Sequence, residues 1–244
     1  MHTFIFQHQL QFKTQMNEDQ LKEDQLKELA AQLRLPHAEK GISMANMMQE
    51  TNSGMIASAI AAMKLQPGDK VLELGPGNGA HISAILESAE HIHYTALEIS
   101  ELMQQEAIRL NTAAFGTGQA LFELYDGLTI PCADNLLDKG LTVNTLYFWE
   151  KPVELLQEIY RILKPGATFC ITFAQRNFME QLPFTKYGFE LYDTQKAKDL
   201  IGQTSFEIQH VETTTESIKS NTGDFVNRDY TTITIRKEIP STNL

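Results

Sequence analysis

Apolar side chains recur along the chain in two different periods, and the change from one to the other near residue 66 divides it. Upstream, Leu26, Leu29, Ala30 and Leu33 return at helical spacing, with Glu23 and Lys27 as a favourable i,i+4 pair. This predicts an amphipathic helix over 18–34 that Pro36 ends, and the repeat of Glu18-Asp-Gln-Leu-Lys at Glu23-Asp-Gln-Leu-Lys is too short for a solenoid. Residues 43–64 are rich in Met and Ala and predict two helices with a buried face, broken near Asn52-Ser53-Gly54. Residues 1–16 show no period and predict loosely ordered chain.

From Gln66-Pro-Gly-Asp onward, short apolar runs alternate with helical segments. Strands are predicted at Lys70–Leu74, Ile92–Leu97, Ala120–Tyr125, Gly140–Thr145 and Ala167–Phe173. Helices are predicted near 79–88 and 100–113 and at Pro152–Leu163, with Lys164-Pro165-Gly166 as a sharp stop. Such alternation implies parallel strands with helices on both faces. The tail differs: after a helix near 194–202, the β-prone runs Phe206–Ser217 and Phe225–Lys237 flank an Asn-Thr-Gly-Asp loop and predict an antiparallel hairpin. The expectation is a doubly wound, mostly parallel seven-stranded α/β sheet finished by a hairpin. Its divisions are a flexible leader over 1–17 (with Met16 as a candidate natural start), an N-terminal helical lid over 18–65, and an α/β domain over 66–244 carrying a cap segment at 175–193.

Composition narrows the function. The net charge is −11 and the longest basic run is Arg236-Lys237, a poor footprint for nucleic acid. Cys132 and Cys170 stand far apart with no CxxC, which argues against a zinc knuckle or a disulfide scaffold and fits a reducing cytoplasm. The chain offers no apolar run of membrane-spanning length, and its opening residues make a bad signal peptide. A cytoplasmic protein without a membrane partner is expected, with the 18–33 helix as a possible homodimer surface.

Chemistry concentrates in Val71-Leu-Glu-Leu-Gly-Pro-Gly-Asn-Gly79. Gly75, Gly77 and Gly79 lie where an apolar strand turns into a helix, so the backbone can pass under a ligand and offer helix N-terminal N–H groups. The same turn fits the loosened dinucleotide fingerprint, which keeps a nicotinamide oxidoreductase open. Glu98 closes the second strand, where a carboxylate takes ribose hydroxyls, and Asp126 closes the third, where one suits an exocyclic adenine amine; a solvated acid or helix cap is the plainer reading of Asp126.

Leu72-Glu-Leu-Gly-Pro-Gly-Asn-Gly, Glu98, Asp126-Gly with Ile130-Pro131, Leu141-Thr-Val-Asn-Thr-Leu and Leu155-Leu-Gln-Glu-Ile-Tyr-Arg-Ile-Leu-Lys-Pro-Gly in this order resemble the class I S-adenosylmethionine-dependent methyltransferases. The nearest group is the small-molecule type 11, which includes quinone-biosynthesis C-methyltransferases. The resemblance covers roughly residues 40–174. It implies S-adenosylmethionine as cofactor, with Glu73 and the turn Gly75, Pro76, Gly77, Asn78 and Gly79 at its methionine end. Glu98 would bind the ribose, Ile99 would flank the adenine, and Asp126 and Gly127 would meet its edge. Asn144 and Thr145 would lie beneath the sulfonium. Leu137-Asp138 departs from the family's Phe-Asp, and Ala167 replaces a second glycine.

The acceptor is expected to be a small molecule. No Asn/Asp-Pro-Pro-Tyr/Phe motif follows strand four, so amide or base nitrogen is disfavoured. Candidate pocket residues are Tyr147 or Trp149, His37 as a base, and Phe178, Phe184, Tyr187 and Tyr192 of the aromatic connection 175–193. Each has a plainer role in core packing or on the surface. His91 and His93 share a strand face without an acidic or Cys partner, so no metal site is read. A cofactor-binding protein that has lost turnover stands as a further alternative.

Overall fold

The computed structural model describes residues 22–219 and 225–240. The expected leader over 1–17, the Met16 start and the turn of the terminal hairpin lie outside them. Helix α1 covers 22–34 and is followed by α2 (Ala38–Thr51) and α3 (Ser53–Met63). Then come β1 (Lys70–Leu74), α4 (Ile82–Glu87), β2 (His93–Glu98), α5 (Glu101–Leu110), α6 (Thr112–Gly116), β3 (Ala120–Leu124) and β4 (Leu137–Val143). The chain continues through α7 (Pro152–Ile162), β5 (Leu163–Ala174), α8 (Arg176–Met179), α9 (Thr194–Ile201), β6 (Phe206–Lys219) and β7 (Phe225–Lys237).

The strands form the expected seven-stranded sheet in the order β3-β2-β1-β4-β5-β7-β6. β1 to β5 run parallel, while β7 inserts antiparallel between β5 and β6. Successive side chains of β1 enter different apolar clusters, as a sheet covered on both faces requires. Val71 joins Ile82, Ile85 and Ala107, whereas Leu72 joins Leu155, Ile159 and Ile162. On β4, Gly140 is obligatory: a Cβ there would run into the Phe169 ring of the neighbouring β5.

Some boundaries differ from expectation, each for a local reason. β4 begins at Leu137 and stops at Val143, because Asn144 turns the chain with φ 57°. Asn144 and Thr145 are therefore in the loop after the strand rather than in it. β5 begins at Leu163, not Ala167. The Lys164-Pro-Gly stop ends the helix, yet Leu163 already pairs with Leu137, and an irregularity between Leu137 and Lys139 absorbs the Pro-Gly segment. α4 starts only at Ile82, after a longer turn, and the predicted 100–113 helix divides at Asn111 into α5 and α6. Ser100 caps α5 by accepting from the Met103 N–H.

The irregular connection 125–136 is held by Arg161 of α7, which donates to the carbonyls of Ile130 and Cys132 and to Glu158 and Asp134. Among the described residues no helix is long and apolar enough to cross a membrane.

Candidate cofactor and active site

The strand order reverses at β1, between β2 and β4, and such a switch point leaves a crevice at the strand C-termini. A cavity of about 160 Å³ opens there, roofed by the end of α1 and by α2. Its floor is the glycine turn, whose three glycines do different work. Gly75, Gly77 and Gly79 have φ of 71°, 59° and 66°, a region costly for side chains with a Cβ. A Cβ on Gly75 would sit 2.6 Å from Thr145 Cγ2, and one on Gly79 would sit 2.7 Å from Ile82 Cδ1, so these two serve packing. Beside Gly77 there is open space, and that glycine faces the cavity.

Glu98, only 6% exposed, stands at the end of β2 and lines the same cavity. Its Oε2 accepts from the Gly77 N–H at 3.1 Å, and its Oε1 accepts from the Ile99 and Ser100 N–H groups at 2.8 and 3.1 Å. Burial outweighs these N–H bonds and pushes the carboxyl pKa up to about 7. Glu73 is buried deeper. Its carboxylate accepts from His81 Nε2 at 2.9 Å and from the Tyr94 hydroxyl at 2.5 Å. Burial acts to lower the His81 pKa, but the Glu73 charge and hydrogen bond outweigh it and the pKa is raised.

The structure gathers most of the cofactor residues expected from the sequence. Glu73, Gly75, Pro76, Gly77, Asn78, Glu98, Ile99, Gly127, Asn144 and Thr145 all line the cavity. Asp126 does not. Its carboxylate is exposed and accepts from the Leu128 and Thr129 N–H groups, which lower its pKa, while its neighbours Tyr125 and Gly127 form the wall. Asp126 thus acts as the cap of its own turn.

The acceptor-pocket candidates fare differently: Trp149 is on the cavity wall, and the other six are not. Tyr147 is buried behind Asn144, donating to Asn144 Oδ1 and packing on Phe189. Tyr192 is buried against Phe173, Phe184 stacks on Phe189, and Phe178 packs on the core beneath. Tyr187 lies under Lys27 of α1. His37 is exposed and held by Gln32 and the Leu35 carbonyl. The aromatic richness of 175–193 therefore covers core, because a long connection across the sheet must bury something apolar. The wall uses instead Trp149, Phe148, Met48 and Ile56, with Gln49, Asn52 and His81 as its polar members. Only Trp149 among these was legible as a pocket candidate. His81 follows the glycine turn by two positions, and a histidine at a helix start was the available signal.

A family profile described as a methyltransferase domain matches residues 72–171, the span that begins inside β1 and contains the glycine turn, Glu98 and β4. The matched region belongs to this family. A match to a methyltransferase profile sets aside the nicotinamide reading. An uncharacterized methyltransferase, YdaC, of Bacillus subtilis is 28% identical over 131 residues, 53% of this chain and 70% of that protein. Cycloartenol-C-24-methyltransferase 1 of rice is 31% identical over 107 residues, 44% of this chain and 31% of that enzyme. In fold, the methyltransferase domain superposes on a SAM-dependent methyltransferase from Aquifex aeolicus with TM-score 0.62, 16% identity, and 80% and 97% of the two chains covered. The chain thus spans about a third of the rice enzyme's length and more than two thirds of the bacterial one's.

Proposed function

We propose that this protein transfers the methyl group of S-adenosylmethionine to a small organic acceptor by in-line displacement. The observation that carries the reading is the junction of Glu98 with the Gly77 N–H at one end of a roofed cavity with apolar and aromatic walls. The residues suit the cofactor. Glu98 is a buried carboxylate that can accept from both ribose hydroxyls, and the open space beside Gly77 admits a ligand backbone. Ile99, Tyr125 and Gly127 would hold the adenine, and Gly75, Asn144 and Thr145 the amino acid portion, whose ammonium would be balanced by the Glu73 charge that His81 and Tyr94 hold in place.

The cofactor supplies a methyl on a sulfonium, a good leaving group, so the chain need protonate nothing. Its work is alignment and the exclusion of water, which can lower the barrier by ~7–11 kcal/mol. The ring faces of Phe148 and Trp149 favour a nearby cation. Arg34 at the end of α1 pairs with Glu150 beyond Trp149, which holds the roof across the wall. No side chain is assigned as general base.

Calorimetric titration tests the reading. S-adenosylhomocysteine should bind and NADH should not, and labelled methyl should pass from the cofactor to a component of a metabolite extract. NADH binding without S-adenosylhomocysteine binding would overturn it, and cofactor binding with no labelled product would favour a non-catalytic role.

A further inference from the structure

Four carboxamides stand on the cavity wall, Gln49, Asn52, Asn78 and Asn144. Asn78 is fully engaged, accepting from the Ala80 N–H and donating to Asn46. The oxygens of Asn52 and Asn144 are held by neighbouring donors. Asn52 Oδ1 accepts from Arg228 Nη1 at 3.1 Å. A guanidinium has no acceptor, so the amide orientation is unambiguous. Asn144 Oδ1 accepts from the Tyr147 hydroxyl at 2.9 Å and from the Ala174 N–H at 3.2 Å. Gln49 Oε1 faces His81 Nδ1 at 3.4 Å, and because the other ring nitrogen of His81 donates to Glu73, Nδ1 can donate to Gln49 only in the imidazolium form.

A planar amide whose oxygen is fixed turns its NH2 the other way. Asn144 Nδ2 meets only the weak acceptor Met55 Sδ, at 3.4 Å. Asn52 Nδ2 has no partner in the protein. Since no buried side-chain nitrogen or oxygen among the described residues lacks a partner, this amino group is accessible. At Asn52 the wall therefore offers a free donor, while its carboxylates Glu73 and Glu98 are already held by His81 and Tyr94 and by backbone N–H groups.

This arrangement is built rather than incidental. Arg228 lies on β7 and is 5% exposed. It donates to the Thr51 carbonyl at the end of α2 at 2.6 Å, and to Glu216 Oε1 at 2.6 and 3.0 Å. Glu216 reaches this place because Gly54 has no Cβ, which would otherwise collide with it. A second tether joins Ser58 to the Tyr230 hydroxyl at 2.6 Å. The terminal hairpin thus fixes the α2–α3 corner, and with it Asn52.

We propose that the methyl acceptor docks a hydrogen-bond-accepting oxygen, such as a carboxylate, carbonyl or phenolate, on Asn52 Nδ2, in an amide that Arg228 positions. This rests on the methyltransferase reading of the cavity. An oxygen acceptor satisfies the outward N–H groups, whereas an ammonium or amidinium would confront them with hydrogens of its own. Met48, Ile56 and the Phe148 and Trp149 rings cover the hydrocarbon part of such a molecule.

Ligand-observed NMR on the full chain saturated with S-adenosylhomocysteine tests this with benzoate and benzamidinium as the probes. Benzoate should bind and benzamidinium should not. Asn52→Asp keeps a partner for Arg228 but turns the free end into an oxygen, and should weaken benzoate by about tenfold or more. If that variant does not fold, Asn52→Ala carries the same expectation. Arg228→Met should weaken benzoate with S-adenosylhomocysteine affinity retained, and Arg228→Lys should restore part of the loss. Equal or stronger benzamidinium binding, no benzoate binding, or unchanged benzoate affinity in the Asn52 variants would overturn the proposal. Failure of S-adenosylhomocysteine to bind the unaltered protein would instead strike the cofactor reading.

Discussion

Glu98 is a carboxylate kept near its titration point by the place it occupies. Burial raises its pKa to about 7, and the backbone N–H groups of Gly77, Ile99 and Ser100 only partly oppose that. A raised carboxyl favours the protonated form, so its contribution to stability is full below the ordinary value near 4.5 and is lost as pH rises through about 7. Ribose hydroxyls need the ionised form. S-adenosylhomocysteine affinity should therefore fall by about tenfold or more between pH 8 and pH 5.5, and calorimetry at the two pH values checks it. Glu98→Gln should flatten that dependence and cost ~1.5–3 kcal/mol of binding at pH 8. An unchanged dissociation constant would remove Glu98 from the ribose site. Glu73 shows the complementary case: the same residue type, one strand over, is bound by His81 and Tyr94.

At the scale of elements, the glycine turn and the sheet beneath it separate binding from stability. Gly77 has open space where its Cβ would be, so Gly77→Val should leave the sheet folded and abolish S-adenosylhomocysteine binding. Circular dichroism with calorimetry reads both outcomes, and retained affinity would show that the turn does not approach the ligand. Gly140 predicts the reverse. A Cβ there meets the Phe169 ring inside the core, so Gly140→Ala should destabilise by ~1–3 kcal/mol in urea unfolding. The position of the sheet elements was legible because period and punctuation coincide: apolar runs bounded by Gln66-Pro-Gly-Asp, the glycine turn and Lys164-Pro-Gly. What was not legible was where pairing overrides punctuation. Leu163 joins β5 because Leu137 is beside it, a fact of the neighbouring strand and not of the Pro-Gly sequence.

Across the whole molecule, the helices α2 and α3 and the terminal hairpin meet at the site. α2 and α3 come from the N-terminal part, β6 and β7 from the C-terminal part, and Arg228 joins them through Thr51, Asn52 and Glu216. Arg228→Met should cost about 3 kcal/mol, because it leaves Glu216 and the α2 carbonyl without their donor. Chemical denaturation measures this, and a change under about 0.5 kcal/mol, as for an ordinary surface substitution, would show that the hairpin does not brace the α2–α3 corner. The sequence by itself determined the sheet, its reversed last strand and the glycine turn at the cavity floor, since those follow from local period, glycines and punctuation. Only tertiary structure decided the rest. Asp126 went to its own turn, the aromatics of 175–193 went to the core, and Gln49, Asn52 and His81 came to the cavity. The reason is physical: a side chain's partner there is set by residues far away in sequence, as Asn52 by Arg228, and no local pattern encodes a contact of that range.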